Sequence, residues 1–444
     1  MPTPLLRGHV PGMGDSMPSE RRAGHATLDE QGLPQNLGTP GTEGGCVFTC
    51  QRIHVSLLAR LLLISFIESF VTTLIERGLY FFSHDRLGFT DGENLGLALG
   101  FGTAYAAGAL ASHAISRWLS EKRLLVLMLV GQFLAHAMLF LWPAAAVVAV
   151  VNTLIGGLNG LKWPVIESYV SAGRTPAAQA STVGRFNLAW ASAIPLALVA
   201  AGPLIGFWSR GLFAAAGLLN VVSLVLVRPI ERHPVHLAAD HPERPTPGAL
   251  VRYRGLLASS RSLMLCSYSL MWVLAALLPG VFANLAVGVR SATALSGLLD
   301  VFRGLTFLAL HLYVGWHNRG WPLVVGIFLF PTGFFLALFG PGVAAVLAGE
   351  LIFGVAAGLT YYAALYYAMV VKNAAVEAGG AHEGIIGVGF VIGPMAGLLG
   401  AALAPSLGGA LWGMLAGMGP LILLCVAAAV WFLAKVARQR ASPV

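Results

Sequence analysis

Charge is what this sequence lacks. Only 10% of its residues are Asp, Glu, Lys or Arg, whereas 57% are hydrophobic. A soluble chain of 444 residues needs a charged surface, with a charged share nearer a quarter. The deficit, with a mean hydropathy of +0.77, excludes an ordinary water-soluble globule. Segments such as 144–161 also lack the alternation of apolar and polar residues that a transmembrane β-barrel strand requires. That leaves a helical membrane protein.

Cysteine is scarce too, and four residues make no disulfide framework. Cys266 and Cys425 fall in apolar segments and read as packing residues. Cys46 and Cys50 read as free thiols, and no metal site is expected. Walker loops, dinucleotide fingerprints, His-Glu-x-x-His and Gly-x-Ser-x-Gly patterns are all missing. Their absence argues against an enzyme, a bound cofactor and ATP-driven transport. A membrane-embedded enzyme, or a receptor or scaffold, stays as the alternative reading; a large soluble domain would support the latter, and neither the tail nor the polar stretch over 228–261 is large enough to be one. The formal net charge of +8 is spread between apolar segments and forms no basic stripe, so nucleic acid is not expected as a partner.

What is present is a series of apolar runs of about 20 residues, each long enough to cross a hydrocarbon core. Residues 1–53 read as a disordered, Gly/Pro-rich cytoplasmic tail. Twelve candidate spans follow. The first six lie near 55–78, 94–116, 123–142, 144–171, 181–205 and 208–228. The second six lie near 261–286, 293–314, 321–340, 343–371, 383–405 and 409–435. The reading gives a six-helix bundle over 54–229, a cytoplasmic linker over 230–260, a second six-helix bundle over 261–437, and a cytoplasmic tail over 438–444. Lys and Arg collect on one side of these spans, including Arg117, Lys122, Arg123, Arg228, Arg232, Arg252, Arg254 and Lys435. The other side receives mainly Arg77, Arg86, Arg210 and Arg290. The bias places both termini in the cytoplasm.

The two halves repeat at an offset of about 198 residues. His113 corresponds to His311. Gly156, Gly160 and Trp163 correspond to Gly354, Gly358 and Tyr361, and Pro195 falls opposite Pro394 at nearly the same offset. An even number of spans per half makes the repeats parallel, related by an axis along the membrane normal. That organisation resembles the major facilitator superfamily over everything after the tail. Lys162–Trp163–Pro164–Val165–Ile166–Glu167 is similar to the aromatic-Pro-x-x-acid pattern of bacterial members. Gly184–Arg185–Phe186–Asn187–Leu188–Ala189–Trp190 follows it, and the second half carries Tyr361–Tyr362 and Tyr366–Tyr367. Between spans two and three the superfamily's usual aspartate is missing, although Arg117, Lys122 and Arg123 keep its basic cluster. The resemblance implies an all-α membrane protein with twelve transmembrane helices in two parallel-repeat six-helix bundles. It implies a secondary transporter in the inner cell membrane, moving a small solute by alternating access; coupling to protons is expected from Glu68 and Asp300, and a monomer is the expected state.

Ionisable side chains in hydrocarbon are costly and usually face an interior or a cavity. The candidates are Glu68 in span one, Lys162 and Glu167 in span four, Arg185 in span five, Asp300 and Arg303 in span eight, and Glu350 in span ten. Glu68 is read as a proton or substrate ligand, or else as a hydrogen-bonding partner of a neighbouring helix. Asp300 and Arg303 share one helix face with Phe307 and His311, either as a switchable pair in a central cavity or as a structural salt bridge. Asn159, Trp163 and Glu167 share a face of span four, where Lys162 and Glu167 fit an inner gate as well as a substrate site. Tyr361, Tyr362 and Tyr366 offer apolar area and hydroxyls together, which suits an amphipathic or aromatic solute or a sugar, or serves packing. Arg185 and Asn187 lie near the cytoplasmic end of span five, where Arg185 could snorkel. His382–Glu383 marks the start of span eleven and reads as capping or gate structure.

Overall fold

The computed structural model describes residues 56–172, 176–234, 247–372 and 376–441. Residues 1–53, which carry the expected tail together with Cys46 and Cys50, lie outside the described residues. In the first half, α1 (Leu57–Glu76), α2 (Gly78–Leu87), α3 (Asp91–Leu119), α4 (Glu121–Leu141), α5 (Ala145–Ser171), α6 (Pro176–Phe207) and α7 (Gly211–Val227) follow one another. The second half has α8 (Pro247–Asn284), α9 (Val289–Leu295), α10 (Leu298–Leu312), α11 (Trp321–Phe339), α12 (Val343–Lys372), α13 (Val376–Leu403) and α14 (Ala410–Ala441). Every regular element among the described residues is helical, because hydrocarbon offers no partner for a free N–H or C=O and a helix satisfies both internally.

Eleven stretches are long and apolar enough to cross a membrane, and α7, with 17 residues, is shorter but equally apolar. Together they account for the twelve expected spans in an all-α, multi-pass membrane protein. Two spans are interrupted. The first crossing bends between α1 and α2 at Arg77, and the eighth breaks between α9 and α10 at Ser296–Gly297. Hydropathy alone does not see either break, since the residues around both remain mostly apolar.

Other boundaries shift for a physical reason. The helix entering the second half begins at Pro247 and takes up the last part of the expected 230–260 linker. Its Arg252 and Arg254 lie before the apolar stretch, and a helix continues past a bilayer surface where hydropathy does not. Similarly α13 begins at Val376, so His382 and Glu383 sit well inside the helix and do not cap it. Some starts do show local encoding. Thr90 caps α3 by accepting from the Glu93 N–H at 3.3 Å, and Glu93 returns the bond to the Thr90 N–H at 2.8 Å.

The repeat is visible in the packing. α3 packs on α5 while α10 packs on α12, and each pair closes on glycine. A Cβ on Gly156 or Gly160 would collide with the backbone of Phe101 or Tyr105. A Cβ on Gly354 would collide with Leu299 backbone, and one on Gly358 with Thr306 and the Arg303 carbonyl. Small residues let these backbones meet directly. The two halves of the chain touch each other through α3 on α13 and through α6 on α9 and α10.

Candidate functional site

Between the halves lies a cavity of about 770 Å³. Its walls are aromatic: Tyr105 from α3, Trp163 from α5, Phe186 and Trp190 from α6, Tyr268 and Trp272 from α8, Tyr361 from α12 and Phe390 from α13. Trp272 stacks on Phe390 with ring centroids 3.6 Å apart, and its indole N–H donates to the Ala98 carbonyl at 3.3 Å. Trp190 meets Phe307 and Tyr361 edge-on at 5.7 and 5.3 Å. The Arg303 guanidinium lies 5.0 Å from the Trp190 ring centre, a cation–π placement. Trp190 is itself held by its indole N–H donating to Asn187 Oδ1 at 3.0 Å.

Polar contacts between the halves sit at both ends of this chamber. At the end away from the start of α1, the Arg77 guanidinium reaches from the first half to the Asp300 carboxylate in the second. A second Arg77 nitrogen donates to the Ser296 carbonyl at 2.8 Å, in the break between α9 and α10. Asp300 also pairs with Arg303 at 2.7 Å, so one carboxylate is held between two guanidiniums. The breaks in the first and eighth crossings thus bring Arg77 and the head of α10 together. At the opposite end, the Tyr105 hydroxyl donates to the Glu383 carboxyl across the halves. Glu167 of α5 reaches the same helix, α13, with Oε2 2.8 Å from where a Cβ on Gly379 would stand.

Behind the cavity wall, inside the first half, runs a buried polar network. Lys162 Nζ donates to Glu68 at 2.7 Å and to Gln132 Oε1 at 3.0 Å. Gln132 Nε2 donates to Asn159 Oδ1 at 2.7 Å, and Asn220 Nδ2 donates to Glu68 at 3.3 Å. His136 Nδ1 closes the far side at 2.8 Å from Asn220 Oδ1. Towards the cavity, Asn159 Nδ2 lies 3.4 Å from Glu76, a lining residue.

Two further clefts flank the cavity. One is lined by Ser112, His113, Ser116, Pro164, Ser168 and Ala381, among others. The other is lined by Leu310, His311, Val314, Tyr362, Tyr366 and Val183. Six positions of each lining correspond at the 198-residue offset: Ser112, His113, Ser116, Pro164 and Ser168 fall opposite Leu310, His311, Val314, Tyr362 and Tyr366, and Val183 falls opposite Ala381. In the second cleft the Tyr362 hydroxyl is 3.3 Å from His311 Nδ1, and Tyr366 stacks on His317 at 4.2 Å.

Of the residues singled out in the sequence, Trp163, Glu167, Asp300, Arg303 and Tyr361 line the central cavity. Glu68, Asn159 and Lys162 belong to the network behind it. Asn187 is buried beneath Trp190, whereas Arg185 is exposed. Tyr362 and Tyr366 line the flanking cleft. Glu350 is buried on α12, accepting from the Leu299 N–H at 3.4 Å. Sequence reasoning missed Glu76, Arg77, Tyr105, Tyr268, Trp272 and Phe390 as lining residues, and placed Glu383 at a helix start. The sequence reading counts Arg77 only among the basic residues of the non-cytoplasmic side, yet it is just 7% exposed. The adjacent Glu76–Arg77 pair at the end of an apolar run was the one available signal.

No family model matches the chain, and no curated protein matches it by sequence. Solved structures do. The chain has the major facilitator fold. It is similar to a POT family transporter in complex with a thioalcohol-conjugated peptide, at 12% identity and a TM-score of 0.65, over 86% of this chain and 96% of that one. It is also similar to a bacterial homolog of the human lysosomal transporter Spinster, inward-facing and occupied, at 16% identity and a TM-score of 0.64, over 86% and 96% of the two chains. The nucleoside transporter NupG matches at 12% identity and a TM-score of 0.60, over 86% of this chain and 99% of that one. Such identities speak to the fold alone.

Proposed function

We propose that this chain is a secondary transporter that carries a small organic solute through the cavity between its halves by alternating access, coupled to protons. The observation that carries the reading is the aromatic chamber with an inter-half polar contact at each end, Arg77 to Asp300 at one and Tyr105 to Glu383 at the other. Contacts of this kind are made and broken when one half rocks against the other around a midplane site. The rocking bodies correspond to the bundles read at 54–229 and 261–437. Proteins of the same fold that transport nucleosides and peptides support the general class of cargo. The aromatic walls suit a solute with a flat or apolar face. The distribution of Lys and Arg supports an orientation with both termini cytoplasmic.

The test is thermal stability of the purified full chain against a panel of nucleosides, peptides, sugars and aromatic amines, repeated with Trp190→Ala and Arg303→Ala. A ligand at 100 times its Kd should stabilise the folded state by about 2.7 kcal/mol. Loss of that shift in either variant, with uptake of the same compound into vesicles driven by a pH gradient, is the expected result. A stabilising compound that is never taken up would overturn transport in favour of a receptor role.

A further inference from the structure

The cavity holds more acid than its own cations offset. Among the described residues four acids line it, Glu76, Glu167, Asp300 and Glu383, against two guanidiniums, Arg77 and Arg303. Both guanidiniums are engaged with Asp300. Lys162, behind the wall, is engaged with Glu68 at 2.7 Å. Glu76 and Glu383 form no ion pair among the described residues. The Asn159 amide donates to Glu76 Oε1 at 3.4 Å, and the Tyr105 hydroxyl donates to Glu383. Glu76 is 9% exposed and stands on the stripe of α1 that also carries Ser69, Thr72 and Thr73 into the cavity. A carboxylate buried this far calls for a partner of opposite charge.

We propose that the cavity takes an organic cation, whose charged nitrogen pairs with the Glu76 carboxylate inside the aromatic walls. The inference rests on the transport reading above and adds the charge class of the solute. Glu76 supplies the counter-charge from the first half. Glu383, from the second half, adds negative potential to the same chamber and strengthens attraction where the dielectric is low.

The walls suit a cation as well as the acid does. The face of an aromatic ring carries partial negative charge, and rings that enclose a site recognise alkylated ammonium groups. The chain already uses this chemistry on its own side chains. Arg303 lies 5.0 Å from the centre of the Trp190 ring while pairing with Asp300 at 2.7 Å. Lys162 Nζ lies 5.5 Å from the Trp163 ring centre while pairing with Glu68 at 2.7 Å. Each cation is thus shared between a ring and a carboxylate. Glu76, with Tyr105, Tyr268, Trp272, Tyr361 and Phe390 on the same cavity, offers a solute the same two partners. A guanidinium or a quaternary ammonium fits best, since each is more weakly hydrated than a primary ammonium. An anionic solute would meet the surplus carboxylates and find both guanidiniums already bound to Asp300. A neutral solute would leave Glu76 without a counter-charge.

Calorimetric titration of the purified full chain with probes matched in shape and different in charge tests this. The cations are benzylguanidinium, phenethylguanidinium and benzyltrimethylammonium. Benzylurea and phenethylurea are neutral counterparts of the guanidiniums, and phenylacetate and 3-phenylpropionate are the anions. A guanidinium should bind about tenfold or more tightly than its urea, and the carboxylates should bind more weakly still. In Glu76→Gln the affinity for cations should fall by about tenfold to a hundredfold, the range for one charge-assisted bond, while the ureas are unaffected. Glu76→Asp keeps the charge and should keep the preference for cations. The comparison in the parent protein needs no variant, so it decides even if Glu76→Gln fails to fold. Ureas or carboxylates that bind as tightly as the cations, or a panel in which no cation binds, overturn the proposal. So does a cation preference that is unchanged in Glu76→Gln. Uptake into vesicles separates this inference from the transport reading. A cation held through Glu76 but never moved would end the transport reading and leave the cation site, whereas a neutral or acidic solute carried through the cavity would do the reverse.

Discussion

Lys162 and Glu68 form an ion pair of 2.7 Å with no solvent exposure on either side chain. Gln132, Asn159, Asn220 and His136 complete a polar core within the first half. The corresponding positions of the second half, 198 residues on, are Cys266, Phe330, Phe334, Ala357, Thr360 and Met418, all buried and nearly all apolar. The repeats therefore share a backbone plan and differ in what fills it. A charged core demands fixed geometry, because each donor must keep its acceptor, while an apolar core can repack. The first half is accordingly the stiffer body, and the cavity residues Thr72 and Glu76 stand on the α1 turns that the network anchors.

Lys162→Met should destabilise the protein by about 3–5 kcal/mol, the range for stranding a buried charge. Most of that loss should return in the double variant Glu68→Gln with Lys162→Met, because the carboxylate that needed the ammonium is gone. Thermal midpoints of the four proteins in one detergent measure the coupling. Equal, additive losses in the single and double variants would mean that the pair contributes nothing beyond packing.

Much of the architecture was legible in the sequence, and for identifiable reasons. Twelve apolar runs and the 198-residue repeat follow from bilayer thickness and from duplicated glycines, both of which are properties of the linear chain. Trp163, Glu167, Asp300 and Arg303, which line the cavity, stand out in the sequence because a charge or a large polar ring inside an apolar run is conspicuous. Arg77 and Glu383 were not, since both fall near the ends of hydrophobic stretches, where hydropathy assigns them to a surface. Only the break between α9 and α10, and the early start of α13, bring them into the interior. Lys162 is conspicuous too, yet periodicity sets its helix face and not the Glu68 carboxylate that face meets.

The glycine contacts that join α3 to α5 and α10 to α12 predict matched sensitivities. Gly160→Val and Gly354→Val would each drive a side chain into facing backbone, Tyr105 in one half and Leu299 in the other. Overpacking of this type costs about 1–3 kcal/mol. Both variants should lower the melting midpoint, whereas Gly304→Ala, with open space beside it, should not. A neutral Gly354→Val would show that the second half tolerates separation of its helices.

His317 lies in the connection between α10 and α11, stacked on Tyr366 at 4.2 Å. Partial burial holds its pKa below the usual value, because desolvation disfavours the charged ring. An unfolded chain then takes up the proton before the folded one does. Stability from the neutral ring is complete above about pH 6.5 and falls away as the pH drops through the depressed folded value. Melting midpoints taken between about pH 7.5 and about pH 5 should therefore fall more steeply in the parent than in His317→Phe, whose ring has no proton to gain. Identical slopes would remove His317 from the acid response.

Asp300 sits between Arg77 and Arg303, so its charge is what draws the first half to the second at that end of the cavity. In Asp300→Asn the two guanidiniums would face each other without a counter-charge, and the crossing from α1 to the break before α10 should loosen. A reporter thiol at Ala275→Cys, on the cavity wall in a background free of other cysteines, measures the opening by its rate of modification with a membrane-impermeant reagent. Losing one charge-assisted bond of about 1.5–3 kcal/mol should raise that rate about tenfold or more from the side opposite the termini. Arg77→Gln should do the same, since it removes the partner from the other half. Arg303→Gln should raise it much less, because Arg303 and Asp300 lie on one helix and move together. If all three variants label alike, the cluster holds α10 in shape and does not bridge the halves. If Arg77→Gln and Asp300→Asn stand apart from Arg303→Gln, the bridge is the closure.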